Sequence, residues 1–217
     1  MLPFTTDQFL EVFTAYNQAI WPLQIVTEAL GLAMTGCLFI GNGGAQRAAF
    51  ALLGAMWLLM GVGYHLTFFA QINPAANVFG ALFILQAVLF AIEGAWRGRI
   101  SMRLEGGFRA WLAGALIAYA LIIYPMIGLL GAQPYPETPL FGVAPCPTVI
   151  FTLGLLILAD HPQRWMLATI PLVWSLIGGS AAVLLEVPQD FGLAAAGMFL
   201  VIAMLSGRRS RHDNPGY

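Results

Sequence analysis

Cys146 lies between two prolines, in the run Ala144-Pro145-Cys146-Pro147-Thr148. The surrounding stretch Ala132–Ala159 also holds Pro134, Pro136 and Pro139. No helix runs through prolines so spaced, because each lacks an N–H and clashes with the preceding turn. Proline is tolerated as the first helical residue. The spacing therefore predicts a helix that starts near Pro147 and ends near Asp160-His161-Pro162. The first N–H groups of a helix have no partner within it, and its dipole attracts negative charge. Cys146 and Thr148 would stand at that end, where a thiol nucleophile, a soft-metal ligand or a capping residue would each fit.

Other chemistry-bearing residues are few. Glu28 follows Gln24 and precedes Gly31 and Thr35, with which it shares a helical face. Its carboxyl fits either a proton or cation site, or a structural hydrogen bond to a tyrosine or histidine. His65, beside Tyr64, fits a proton relay, a metal ligand, or a histidine bonded to a backbone carbonyl. Tyr124 precedes Pro125, which should kink its helix, and Ser180 follows Gly178 and Gly179. Thiolate and imidazole suit copper or zinc, so Cys146, His65 and Glu28 together are the candidate metal set. No two of them have local ligand spacing.

The elements that must position these groups follow from composition. The 217 residues are 59% hydrophobic and 9% charged, with a mean hydropathy of +0.81. A soluble domain carries about 25% charged residues. An apolar exterior of this kind belongs in lipid, and the bilayer is the expected partner. Candidate spans lie near Ala19–Ile40, Ala48–Phe69, Pro74–Trp96, Phe108–Leu130, Pro147–Ala159, Trp165–Leu185 and Phe191–Leu205. The fifth and seventh are short. The expected fold is an all-α polytopic bundle of about seven spans, one domain over residues 1–206 with a polar, disordered tail from Gly207 to Tyr217. No cleavable signal peptide is expected. Thr5 and Gln8 are spaced as a capping box before Phe9, Val12, Phe13 and Tyr16, which recur at helical spacing. This segment is either an interfacial amphipathic helix or an extension of the first span.

The nine cationic side chains are all arginine. In a seven-span arrangement they all fall on one side, and the acids Glu137, Glu186 and Asp190 lie in loops on the other. The positive-inside rule makes the arginine side cytoplasmic, with the N-terminus outside. There the arginines act as topology signals and contacts for anionic lipid headgroups. A fifth helix of about 13 residues covers roughly 20 Å of a hydrocarbon core about 30 Å thick. It would begin roughly 10 Å below the outer surface, a discontinuous span with Leu140–Ala144 dipping in. Counting about 1.5 Å per residue puts Glu28 about 12 Å deep, Tyr64 and His65 about 6–8 Å, Tyr124 about 10 Å and Ser180 about 8–9 Å.

The segments Pro3–Phe9, Gly63-Tyr64-His65, Ile72–Ala76 and Leu176–Ala182, with Phe141-Gly142-Val143-Ala144-Pro145-Cys146-Pro147-Thr148, resemble an uncharacterised family of small bacterial multi-pass membrane proteins. The resemblance covers nearly the whole chain and implies a bacterial inner-membrane location. It brings no activity, substrate or cofactor.

Several functions are disfavoured. A net charge of −1 offers no field for nucleic acid. Without lysine there is no retinal Schiff base, and no HExxH, GxSxG or Walker motif occurs. The broken fifth helix and Glu28 point to a permease- or channel-like protein with an outward-facing site for a small solute, ion or metal. Candidate binding residues are Gln24, Glu28, Tyr64, His65, Tyr124, Cys146, Thr148 and Ser180. Two alternatives stay open. One is an accessory or assembly subunit of a larger complex or homo-oligomer, favoured by the small residues Gly192–Gly197. The other is an intramembrane thiol enzyme built on Cys146.

Overall fold

The computed structural model describes residues 2–104, 106–131 and 133–212. The chain is all-α apart from one two-residue strand pair. Its helices are α1 (Thr6–Ala19), α2 (Leu23–Ile40), α3 (Gly43–Gln71), α4 (Ala76–Trp96), α5 (Phe108–Leu130), α6 (Pro145–Leu158), α7 (Arg164–Leu184) and α8 (Phe191–His212). A 3₁₀ turn, Pro188–Asp190, leads into α8. Six helices are long and apolar enough to cross a membrane: α2, α3, α4, α5, α7 and, counted as Pro188–Ser206, α8. Their outer faces expose large apolar side chains such as Ile25, Leu32, Val78, Leu176 and Val183, the surface a bilayer solvates. This is the architecture of a multi-pass membrane protein.

The sequence reading places most boundaries within a few residues. Three points differ. The seventh apolar segment is not short, because the helix continues from Leu205 to His212. The expected tail therefore begins as helix, and its residues 213–217 lie outside the described residues. The fifth apolar helix starts at Pro145, not Pro147, because both prolines fit in the first turn, where an N–H is dispensable. Asp190 is not a loop acid but a buried one, as set out below.

At 14 residues, α6 is about 21 Å long. Every residue from Pro147 to Leu158 is buried. A helix that is apolar all round belongs inside a bundle, and α6 packs against α5, α7 and α8. Trp57 of α3 donates to Thr152 of α6 at 3.1 Å.

Close packing elsewhere rests on glycine. Gly61 of α3 and Gly80 of α4 face each other, and a Cβ on either would lie 3.0–3.1 Å from the other's carbonyl oxygen. The small residues of α8 are used within the chain. Gly192 abuts Tyr119, Gly197 abuts Ser175, and Ala194 meets Gly179. The stripe that favoured an accessory subunit is thus occupied by the protein's own helices.

The six arginines with described side chains gather at one end of the bundle. Arg47 donates to Ala95 O and Trp96 O at 2.7 and 2.6 Å, Arg109 to Ile157 O, and Arg164 to Met204 O. The oxygens of Ala95, Trp96 and Ile157 belong to the last turns of α4 and α6, where carbonyls lack helical partners and the dipole favours cations, while Met204 O lies within α8 and ties it to the start of α7. Arg97 and Arg99 pair with Glu93 at 2.6 and 3.4 Å, and His161 Nε2 lies 3.4 Å from the same carboxylate. The strand pair Ser101–Met102 and Ala159–Asp160 closes this end. The arginines therefore tie helices together at this end. Glu93 and Arg97 are four residues apart at the end of α4, the spacing that brings such a pair together. Gln86 joins α4 to α7 through Leu167 O at 3.2 Å.

At the other end, residues 133–144 do not loop out but fold into the bundle. Phe141, Val143 and Ala144 are buried. Gly142 has a φ of +78°, and a Cβ there would lie 2.5 Å from Thr27 Cβ. Only glycine fits both the conformation and the space. Gly142→Ala is expected to destabilise the protein by about 1–3 kcal/mol. Gly36→Ala, where a Cβ meets nothing within 4 Å, serves as the neutral control. Thermal unfolding in mild detergent checks this, and equal melting temperatures for Gly142→Ala and wild type would refute it.

Candidate functional site

The inward-folded segment is a plug whose backbone is satisfied by side chains from three helices. Asn17 of α1 donates to Pro136 O at 2.6 Å and Thr138 O at 3.0 Å. Thr27 of α2 donates to Phe141 O at 2.9 Å. Thr148 of α6 accepts from Gly142 N and donates to Ala144 O, both at 2.8 Å. Gln24 donates to Asn17 O at 2.7 Å and steadies that helix end. Thr138 also bonds to Gln133 O. Each link spares a polar group about 1–3 kcal/mol of uncompensated burial.

Beneath the plug lies a polar cluster. Asp190, buried in the turn before α8, accepts from Tyr124 of α5 at 2.7 Å. The Cys146 thiol borders Asp190, Tyr124 and Trp174. Tyr119 donates to Gln189 O at 2.8 Å, and Gln189 donates to Gln133 at 2.9 Å, so the rim of the cluster is joined to the plug. Among the described residues no cationic side chain meets Asp190.

Trp174 extends the cluster sideways. Its Nε1 would lie 3.2 Å, and the Cys146 sulfur 3.4 Å, from a Cβ placed on Gly178. A side chain at Gly178 would fill the space between them. The other face of Trp174 packs on His65, with ring centroids 5.1 Å apart. His65 is fully buried among Phe83, Phe79, Phe69 and Tyr64. Among the described residues neither of its ring nitrogens has a hydrogen-bond partner, and the Trp174 side chain is directed at the Cys146 thiol. Buried groups of this kind are nearly always hydrogen-bonded, so the two orphaned nitrogens of His65, packed on Trp174 beside the Asp190–Cys146 contact, mark a place for a polar guest.

Backbone irregularity builds the cluster. Met60–Phe68 of α3 is a π segment. Its wider turn carries the adjacent residues Tyr64 and His65 inward together, and both are buried. Tyr119–Ile123 of α5 is another, immediately before Pro125, whose missing N–H breaks the regular ladder. Pi turns recur at functional sites.

The sequence candidates divide. Tyr124 and Cys146 meet directly, and Tyr64 and His65 adjoin them. Thr148 and Gln24 hold the plug and its neighbour. Ser180 is exposed on α7 and donates to Ile177 O at 2.6 Å. Glu28 lies on the edge of α2, whose buried face runs through Gln24, Thr27, Gly31, Met34 and Leu38. Glu28, His65 and Cys146 do not gather, and among the described residues no three His, Cys, Asp or Glu side chains form a metal-binding group. Asp190, Trp174, Gln133 and Gln189 were missed. Asp190 follows Pro188 in a short polar stretch and reads as loop, and only its place ahead of an apolar helix hinted otherwise.

The plug should limit access to Cys146. In a Cys37→Ser background, a membrane-impermeant thiol reagent is expected to label Cys146 slowly. Thr27→Val, which strands the Phe141 carbonyl, should speed labelling by about tenfold, the equivalent of one buried hydrogen bond. An unchanged rate would mean that the plug does not cover the thiol.

No curated protein and no solved structure matches the chain. One family does match, over residues 6–214, and it is described as a family of unknown function, DUF6064. That match spans nearly the whole sequence, from the first turn of α1 to beyond the end of α8, and the chain belongs to the DUF6064 family.

Proposed function

We propose that this protein is a small permease- or channel-like membrane protein that handles a proton or small cation at the Asp190–Tyr124–Cys146 cluster. The observation that carries the reading is a carboxyl buried beneath the plug whose neighbours are a phenol and a thiol, with no cation among the described residues. In an apolar interior such a group holds a proton or a cation. The orphaned ring nitrogens of His65 supply further polar contacts beside Trp174. The discontinuous helix above a mid-membrane site is the arrangement transporters use.

In this reading the bundle crosses the bacterial inner membrane seven times, with α6 as the short crossing. The N-terminus lies outside and the arginine end faces the cytoplasm. Helix α1 rests at the outer interface, and the plug separates the site from the outer solution. Arg97 and Arg99, about half exposed, lie where anionic headgroups would meet them.

Proteoliposomes with an internal pH dye and an imposed sodium or potassium gradient test this. Wild type is expected to conduct protons above the rate of empty liposomes, and Asp190→Asn to abolish that flux. Tyr124→Phe should slow it by about tenfold, for one hydrogen bond to an ionisable group. Equal flux from wild type and Asp190→Asn would overturn the proposal.

A further inference from the structure

The lipid-facing surface is interrupted by a groove of about 570 Å³ between α2 and α5, floored by Leu158. It has a local cause. At one level α2 comes close to α5 because Gly31 lets Leu121 and Phe141 approach its backbone. Toward the arginine end the helices part, and Gly114 of α5 has nothing within 4 Å of where a Cβ would stand. The remaining walls are apolar, with Leu32 on one side, Ala118 and Ile122 on the other, and Thr35 as the one polar side chain.

Glu28 does not line the groove but lies one helical turn before its first lining residue on α2, Leu32. It precedes Leu32 by four residues and Thr35 by seven, so the three share one helical face. Its carboxyl is half-buried, about 7–8 Å along the helix from Leu23 by a rise of 1.5 Å per residue. Among the described residues it has no hydrogen-bond or ion-pair partner. An acid at this depth is costly unless something answers its charge. The plug, the Asp190 cluster and the arginine network leave it unused. A hydrocarbon-lined groove with an unanswered carboxyl one helical turn beyond its lining complements one shape of guest, an apolar tail with a cationic head. The volume falls within the range of small-molecule sites.

We propose that this groove binds a single-chain cationic amphiphile, its ammonium group on Glu28 and its tail running along α5 toward Leu158. The site is separate from the Asp190 cluster and stands or falls without it.

The test uses the full chain in phosphatidylcholine nanodiscs, with dodecyltrimethylammonium below its micellar concentration as probe and dodecanol as its uncharged counterpart. Calorimetric titration should show one saturable site, with the cation bound about tenfold more tightly than the alcohol, the effect of one favourable charge contact. Glu28→Gln should erase that preference while leaving alcohol binding intact. Gly114→Leu, which fills empty space, should weaken both probes. Equal affinity for cation and alcohol in wild type would overturn the proposal in favour of an acyl-chain crevice. Absence of binding together with a dimer whose interface covers α2 and α5 would overturn it in favour of a second copy of the chain.

Discussion

A peptide group in hydrocarbon has no water to bond with, so any non-helical backbone at membrane depth must be satisfied by the protein itself. This constraint governs the bundle because α6 by itself is shorter than the hydrocarbon core is thick. Its 14 residues cover about 21 Å, and the chain above it, residues 133–144, is broken by prolines. The gap is closed with side-chain hydrogen bonds: Asn17 for Pro136 and Thr138, Thr27 for Phe141, Thr148 for Gly142 and Ala144. Those bonds require α1 to fold back onto α3, which it does through Phe13 stacked on Tyr64 and Tyr16 meeting Tyr64 edge-on. They also require α2 to turn Gln24, Thr27 and Gly31 inward, which leaves Glu28 on its edge.

The same constraint creates the polar cluster. Because α6 starts only at Pro145, there is room beside its first turn, and the turn before α8 brings the buried Gln189 and Asp190 to it. Tyr124 reaches them because α5 widens to a π turn before Pro125. His65 and Trp174 come together where α3 widens and α7 passes. Two irregular helices and one short one thus converge on a single region, while the arginine end is held by arginine bonds to backbone carbonyls of α4, α6 and α8.

Much of this was legible in the sequence. Hydropathy and the one-sided arginines gave the helices, the proline spacing gave the broken one, and Thr5 with Gln8 gave the cap of α1, seen as reciprocal bonds of 2.9 and 3.3 Å. Tyr124 and Cys146 were legible as residues of similar depth. What stayed hidden was rotation and turn width. Periodicity does not reveal a π turn, so the joint burial of Tyr64 and His65 was not readable. The face of α2 was set by Gly31 packing on Phe141, a contact some 110 residues away in sequence. Asp190 looked like a loop acid because the fold of residues 133–144, not its own neighbours, buries it.

The most direct test of the central claim is backbone hydrogen exchange in lipid nanodiscs. If residues 141–144 form a buried plug bonded to Thr27 and Thr148, their amides should exchange about as slowly as those of α6. Exchange as fast as at Gly106 and Gly107, in the exposed loop before α5, would contradict the account, because the segment would then lie in water.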